Sequence, residues 1–180
     1  MARALLHLHN GPLRPLLPRR KLAFWCPQNA VMESKAMTLS GILKHKGSSV
    51  AHVAPAVTIA DVAALLSHHR IGAVLVCDEA KRLLGVVSER DIVRCLALHG
   101  AAVLQMTASQ IMTRNPQTAP PATSVPEAMA MMTEGRFRHL PVIENGELIG
   151  IVSIGDVVKA RMDLQDQEVD SLRAYVAGAA

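Results

Sequence analysis

The sequence GVVSERD at residues 85–91 returns as GIVSIGD at residues 150–156, and each copy runs into an apolar stretch. The likeness extends outward, because residues 57–94 align with residues 123–159 after a one-residue shortening in one turn. Nine of the 37 aligned pairs are identical, and five of these nine lie within residues 85–93 and 150–158. Self-similarity of this kind is typical of a structural unit that occurs twice and packs against its own copy.

Each copy predicts the element order βαββα. Thr58 and Ser124 precede amphipathic stretches and are followed three residues later by an acid, which is the signature of a helix N-terminus. Asn145-Gly146 predicts a tight hairpin between two β-branched strands. Because one copy of about 60 residues is marginal in size, we expect the two copies to pack as one α+β body. The predicted elements are short helices at 39–44 and 109–113, extended pieces at 52–54 and 118–119, and strands at 73–77, 83–87, 140–143 and 148–152.

The composition excludes several classes of protein. Half of the 180 residues are hydrophobic and 19% are charged, which is typical of a folded chain. Four aromatic residues are too few for stacking on single-stranded nucleic acid. The net charge of +4 arises in residues 1–32, which hold five basic and no acidic residues, while the rest of the chain has 14 basic and 15 acidic ones. We therefore expect no nucleic-acid partner, and no membrane partner either, because no apolar run approaches about 18 residues.

Residues 1–36 are predicted to be a leader outside the folded body, because four prolines interrupt them and no stretch has helical periodicity. The acid-free, arginine-containing composition of residues 1–32 resembles an organellar transit peptide. The alternative is an upstream start codon, with the natural protein beginning at Met32 or Met37. Three scattered cysteines predict neither a disulfide framework nor a zinc site, and we expect no metal. They favour a reducing compartment, which is the cytoplasm, or an organellar matrix if the leader is a transit peptide.

The shared Ser-x-x-Asp pattern allows two interpretations. At a strand-to-helix junction it is a capping box, in which the acid accepts hydrogen bonds from free backbone N–H groups. At the same junction, the positive end of the helix dipole attracts an anion. A carboxylate there is able to accept hydrogen bonds from both hydroxyl groups of a ribose. The residues alone leave the structural and the ligand-binding interpretations open.

The repeated GVVSERD and GIVSIGD, together with RFRHLPVIENGELIGIVSIGDVV at residues 136–158, resemble a pair of CBS domains, the arrangement called a Bateman module. The resemblance covers residues 38–161 and is strongest to small stand-alone bacterial CBS-pair proteins and to plant organellar ones. It implies tandem βαββα repeats of the α+β class, in domains at 37–103 and 104–162 with a helical tail at 163–180. It further implies a homodimer that binds AMP, ADP, ATP or NAD(H) between its repeats and modulates an unidentified protein.

The resemblance implies that Asp91 and Asp156 grip ribose. Arg90 and the group Arg136, Arg138 and His139 are candidates for phosphate, although strand alternation predicts opposite faces for Arg138 and His139. Gly72 and Ala73 stand where the second copy has Arg138 and His139, so we expect two chemically unequal sites. The full set of predicted nucleotide-binding residues is Val53, Gly72, Ala73, Ser88, Arg90, Asp91, Ala119, Arg136, Arg138, His139, Pro141, Ser153, Ile154, Gly155 and Asp156.

Catalysis finds no support in the sequence. The chain has no phosphate-binding glycine loop, nucleophile elbow or HExxH motif, so we predict that it is not an enzyme and has no cofactor. Two alternatives to a nucleotide sensor stay open, a ligand-independent dimeric scaffold and a nucleic-acid binder that uses the basic leader. An apolar seam in the last predicted helix indicates packing across a dimer. Its residues are Val158, Met162, Val169, Leu172 and Val176.

Overall fold

The computed structural model describes residues 37–47 and 50–178, so the predicted leader lies outside the described residues. The described residues belong to one compact unit, and the predicted α+β class with two repeats is confirmed. The first repeat and its surroundings contain α1 (Leu39–Lys46), β1 (His52–Val53), α2 (Ile59–His69), β2 (Ala73–Cys77), β3 (Leu83–Ser88), α3 (Glu89–His99) and a 3₁₀ helix (Gly100–Gln105). The second contains α4 (Ala108–Ile111), β4 (Thr113–Arg114), α5 (Val125–Glu134), β5 (His139–Glu144), β6 (Glu147–Ser153) and α6 (Ile154–Gly178).

The predicted local signals are confirmed. Thr58 and Ser124 cap α2 and α5, each accepting a hydrogen bond from the backbone N–H of the acid three residues on. Asn145 and Gly146 both have positive φ, at 51° and 85°, as a tight primed turn requires. The predicted helix at 109–113 is shorter than expected and lies at Ala108–Ile111, because Thr113 and Arg114 leave it to pair with β3.

Two sheets carry the repeats. The first has the order β1-β2-β3-β4, with β1 parallel to β2 and the other neighbours antiparallel. The second is the antiparallel hairpin of β5 and β6, beside which Ala119 forms a parallel bridge to Val142 at the place that β1 has in the first repeat. Each hairpin therefore brings its strand end, at Ser88 and Ser153, to the start of a long helix.

The lead-in helices are exchanged between the repeats. Leu39, Ile42 and Leu43 of α1 are buried in the core of the second repeat, against residues such as Leu140. Ala108 and Ile111 of α4 are buried in the core of the first repeat. Each repeat therefore completes its hydrophobic core with a segment that precedes the other one in the sequence.

Two matching glycines mark the places where these segments meet the sheets. A Cβ atom on Gly85 would lie 2.7 Å from Met112 Sδ and 2.8 Å from the carbonyl oxygen of Thr113. A Cβ atom on Gly150 would lie 2.6 Å from Leu43 Cδ2. Both glycines allow the exchanged segment to approach the strand closely, but only Gly85 faces the backbone of that segment.

We expect the Gly85→Ala variant to lose about 1–3 kcal/mol of folding free energy, because the new methyl group displaces the backbone at Thr113. The Gly150→Ala variant should lose less, because a leucine side chain turns aside more readily than a backbone carbonyl. Urea denaturation of both variants measures the difference. Equal losses, or a larger loss at Gly150, would show that the backbone contact at Gly85 does not constrain the fold.

The two long helices after the strand ends leave apolar side chains uncovered. α3 has no fully buried residue, and α6 has buried residues only near its start, at Val157 and Ala160. α6 runs without a break to Gly178, so the predicted tail continues the closing helix of the second repeat. In the described part of the chain, no helix is both long and apolar enough to span a bilayer.

Candidate functional site

A cleft lies between the two repeats, where the start of α3 faces the turn between α5 and β5. Its cavity has a volume of about 380 Å³. Three segments contribute most of the lining: residues 88–91 at the start of α3, residues 115–117 after β4, and residues 135–139 before and at the start of β5. We call this cavity the Asp91 cleft.

Asp91 uses one carboxylate oxygen to cap its own helix. Its Oδ2 accepts hydrogen bonds from Ser88 Oγ at 2.6 Å and from the Ser88 backbone N–H at 3.0 Å. The Asp91 backbone N–H donates to Ser88 Oγ at 3.4 Å, which completes a capping box. Oδ1 accepts no hydrogen bond from the described residues, so the capping and ligand-binding interpretations are compatible in one side chain.

Arginines dominate the charge of the Asp91 cleft. Arg90, Arg94, Arg136 and Arg138 line it, against the carboxylates of Glu89 and Asp91. The Arg90 guanidinium also donates to the carbonyl oxygen of Arg136 at 2.8 Å, which ties the first repeat to the second across the cleft. Guanidinium groups bind phosphate through paired hydrogen bonds, so the cleft suits an anionic ligand.

His139 and Arg138 both line the Asp91 cleft, although alternation predicted opposite faces for them. Arg138 stands in a bend one residue before β5, so strand alternation does not govern it. The His139 ring lies against Gly72, where a Cβ atom would be 3.2 Å from Cε1. The predicted Gly72 therefore makes room for this ring.

Burial holds the pKa of His139 below its usual value, and the positive charges of Lys46 and Arg138 lower it further. The carboxylates of Glu89 and Asp156 act in the opposite direction but do not outweigh these effects. His139 is therefore neutral at pH 7, and it accepts a proton less readily in the folded chain than in the unfolded one.

This shift predicts how stability depends on pH. Because the pKa of His139 is lower in the folded state, the unfolded chain binds a proton first, and stability falls as the pH drops below about 6.5. The His139→Gln variant should lose less stability than the wild type between pH 7.5 and pH 5.5. Urea denaturation at the two pH values measures the loss of stability in both proteins. An equal loss in the variant and in the wild type would rule out a depressed His139 pKa.

Asp156, the counterpart of Asp91, already has a charged partner. Its Oδ2 accepts hydrogen bonds from the Ser153 N–H at 2.8 Å, from Ser153 Oγ at 2.7 Å and from Lys46 Nζ at 2.6 Å. Burial raises the pKa of Asp156, but the hydrogen bonds from Lys46 and Ser153 outweigh this and hold the pKa below its usual value. The two Ser-x-x-Asp motifs thus cap their helices alike and differ in what else the aspartate contacts.

The structure brings together seven of the predicted site residues and separates the other eight. The seven that line the Asp91 cleft are Gly72, Ser88, Arg90, Asp91, Arg136, Arg138 and His139. Val53, Ala73, Ala119 and Pro141 are buried outside its lining, Ser153, Gly155 and Asp156 lie at the second motif, and Ile154 lines a neighbouring hollow. The predicted set therefore mixes residues of the Asp91 cleft with residues outside it, among them those of the second motif. The reason is that the sequence does not show which segments of the two repeats share a cleft.

Several lining residues were missed by the sequence analysis. These are Val86, Glu89, Arg94, Thr113, Asn115, Pro116, Gln117 and Gly135. Phe137 also lines the cleft. The signal for residues 115–117 is the Asn115-Pro116 helix stop, which places the following segment beside β3 once the lead-in helices are exchanged. In the described ranges, no group of three His, Cys, Asp or Glu side chains is placed to hold a metal ion.

Comparisons with known proteins agree with this architecture. The family model for the CBS domain matches residues 47–98 and 108–163. The chain is 34% identical over 152 residues to the CBS domain-containing protein CBSX3, mitochondrial, of Arabidopsis thaliana, which covers 80% of this chain and 74% of that protein. A crystal structure of a CBS-domain containing protein from Agrobacterium tumefaciens is similar with a TM-score of 0.68 and 47% identity, over 70% of this chain and 94% of that one.

A second solved structure contains a ligand. It is a CBS domain protein of Pyrobaculum aerophilum complexed with AMP, and its TM-score to this chain is 0.60 at 32% identity. The match covers 67% of this chain and 89% of that one. A protein of similar fold is therefore known in complex with a nucleotide.

Proposed function

The chain belongs to the CBS-domain family, and from that premise we propose that it is a regulatory protein that binds an adenosine nucleotide in the Asp91 cleft. Pairs of CBS domains commonly bind adenosine ligands and regulate partners, and the family is generally regulatory rather than catalytic. The ligand is AMP, ADP, ATP or NAD(H), and binding alters the surface that a partner protein contacts. The protein catalyses no reaction in this proposal.

One observation carries the proposal: Asp91 Oδ2 accepts two hydrogen bonds from Ser88, while Oδ1 accepts none from the described residues and four arginines line the same cavity. A carboxylate held in this way is ready to accept two hydroxyl groups of a ribose. The arginines lie within the same cavity to receive the phosphates. The cavity of about 380 Å³ falls in the range of small-molecule sites, which is about 300–1,000 Å³.

A thermal-shift panel tests the proposal. The ligands are AMP, ADP, ATP, NAD, NADH and S-adenosylmethionine, with GMP and GTP as controls for the base and adenosine as a control for the phosphates. A ligand at 100 times its dissociation constant stabilises the protein by about 2.7 kcal/mol, which is roughly 5–10 °C for a domain of this size. A selective rise with a phosphorylated adenosine ligand is expected. No rise with any adenosine ligand would favour the ligand-independent scaffold, whose helix caps are complete without a ligand.

We also propose that the chain forms a homodimer through the uncovered faces of α3 and α6. Leu98 on α3 is 78% exposed and Leu172 on α6 is 65% exposed, although both are large apolar residues. Val93, Leu96, Val158, Met162, Val169 and Val176 are also exposed on these helices. Exposed apolar patches of this kind mark interaction sites, and a second copy of the chain offers the same apolar chemistry in return.

The self-association test uses light scattering after size-exclusion chromatography. Three proteins are compared: the full chain, a chain truncated after Arg161, and the Leu98→Glu variant. We expect a dimer for the full chain and a weaker dimer for both altered proteins. An intact dimer after truncation would show that the seam beyond residue 161 is irrelevant to assembly.

The cellular compartment is also part of the proposal. Cys77 and Cys95 are both unbonded, as in a reducing environment, which the cytoplasm and the mitochondrial matrix share. We propose that the protein is in the cytoplasm. The alternative, an organellar matrix, is supported by the mitochondrial name of the Arabidopsis relative. Fluorescent fusions of the full chain and of a chain beginning at Met37 distinguish them, because only a targeting leader would change the location.

A further inference from the structure

We infer that Lys46 binds Asp156 in place of a ligand and so blocks nucleotide binding there. Each chain then binds one nucleotide, in the Asp91 cleft. This inference rests on the proposed function and concerns its stoichiometry and the residue that sets it. Lys46 Nζ lies 2.6 Å from Asp156 Oδ2 and 3.4 Å from the carbonyl oxygen of Ile151. The carboxylate that corresponds to Asp91 therefore has a cation bound to it before any ligand arrives.

The exchange of the lead-in helices explains why the two positions differ. Leu43 meets Gly150 as Met112 meets Gly85, so the two lead-in segments are related by an offset of 69 residues. At this offset Lys46 corresponds to Asn115, which lines the Asp91 cleft. The equivalent position thus holds a neutral amide, Asn115, in one lead-in segment and an ammonium group, Lys46, in the other.

The lengths of the two helices place these side chains differently. α4 ends at Ile111, and the chain turns into β4 before reaching Asn115, which has a φ of 47°. α1 continues for eight residues to Lys46, at its C-terminal end. The helical path carries the Lys46 side chain to Asp156, whereas Asn115 stands at the wall of an open cavity.

The region around Asp156 also has fewer groups for a phosphate. Gly72 and Ala73 stand where the second repeat has Arg138 and His139. The His139 ring lies beside Gly72, with Nε2 at 3.3 Å from the position of a Cβ atom there. A nucleotide at Asp156 would have to displace a short, charge-assisted hydrogen bond and would find no arginine at the place of Arg138.

The ion pair is suited to a functional test because it contributes little to folding. The side chains of Lys46 and Asp156 are 39% and 25% exposed, and solvent weakens pairs at this exposure. We therefore expect the Lys46→Asn variant, which introduces the residue found at position 115, to fold normally. Lys44→Asn, an exposed change on the same helix, is the matched control.

Isothermal titration calorimetry of the full chain, with AMP and with ATP in separate titrations, tests the inference. We expect one site per chain in the wild type and in Lys46→Asn a second site, at least tenfold weaker because it lacks a counterpart of Arg138. The double variant Asp91→Asn/Lys46→Asn should keep only the weaker site, and Lys44→Asn should keep one site.

The possible failures are distinguishable. Two sites in the wild type, or one site in a folded Lys46→Asn variant, would overturn the role of Lys46 and leave the proposed function standing. One wild-type site that survives Asp91→Asn but is lost in Asp156→Asn would also overturn the inference, because the nucleotide would then bind where Lys46 lies. No binding of AMP or ATP to any variant would overturn the inference, whereas the proposed function fails only if ADP, NAD and NADH also give no thermal shift.

Discussion

Replacing Asp91 with asparagine is expected to lower the affinity for the bound nucleotide by about 100-fold, because hydrogen bonds to a charged group contribute about 1.5–3 kcal/mol each. The ribose hydroxyl groups lose the carboxylate that accepts both of them. Asparagine still offers one oxygen to Ser88, so the cap of α3 is largely kept. Asparagine therefore separates ligand binding from folding better than alanine does.

The matched control is Asp156→Asn, the same change at the second motif. Asp156 is bonded to Lys46, so we expect the affinity to change by less than about twofold in this variant. Calorimetry measures the affinities, and circular dichroism confirms folding. Equal losses in both variants would argue against two unequal sites, and full affinity in a folded Asp91→Asn variant would remove Asp91 from the binding site.

Leu39→Ala is expected to lower the free energy of unfolding by about 2–5 kcal/mol, because it leaves a cavity in a closely packed core. Leu39 is completely buried, and its neighbours in that core include Leu140 and Val152 of the second repeat. Its backbone N–H also donates to the carbonyl oxygen of Thr123 at 2.9 Å. The change should therefore weaken the second repeat, although Leu39 precedes the first.

Thermal unfolding measures the effect at about 2–4 °C per kcal/mol for a domain of this size. The control is Leu172→Ala, which removes the same atoms from an exposed position on α6 and should change stability by less than about 0.5 kcal/mol in a monomeric sample at low concentration. Hydrogen exchange locates the weakening, because amides of β5 and β6 should exchange faster than those of β2. Faster exchange confined to the first repeat would contradict the exchange of lead-in helices.

Local structure was predictable from the sequence because short-range chemistry determines it. Ser88 and Asp91 form the capping box that their spacing indicates, and Asn145-Gly146 forms the predicted turn. The strand predicted at 73–77 has those bounds. β3 is one residue longer than predicted at its end, and β5 and β6 are each one residue longer at both ends. Alternating β-branched residues, caps and turn residues act over a few positions, so the sequence alone contains their signals.

The composition of the cleft was less predictable because it depends on contacts distant in sequence. Arg90 donates to the carbonyl oxygen of Arg136, 46 residues away, and Lys46 bonds to Asp156, 110 residues away. The repeat alignment compares the two motifs with each other, but it does not show that Asp91 shares a cleft with Arg138. The sequence predicts two unequal sites from Gly72 and Ala73, and that prediction awaits the binding measurements, whereas no sequence signal points to the contact of Lys46 with Asp156.

A crystal structure of the full chain grown with the nucleotide that gives the largest thermal shift tests the central claim most directly. We expect the ribose hydroxyl groups at Asp91 Oδ1, the phosphates among the four arginines of the Asp91 cleft, and Lys46 still bonded to Asp156. A nucleotide bound at Asp156 with Lys46 displaced, or an empty Asp91 cleft at a saturating concentration of that nucleotide, would contradict the claim.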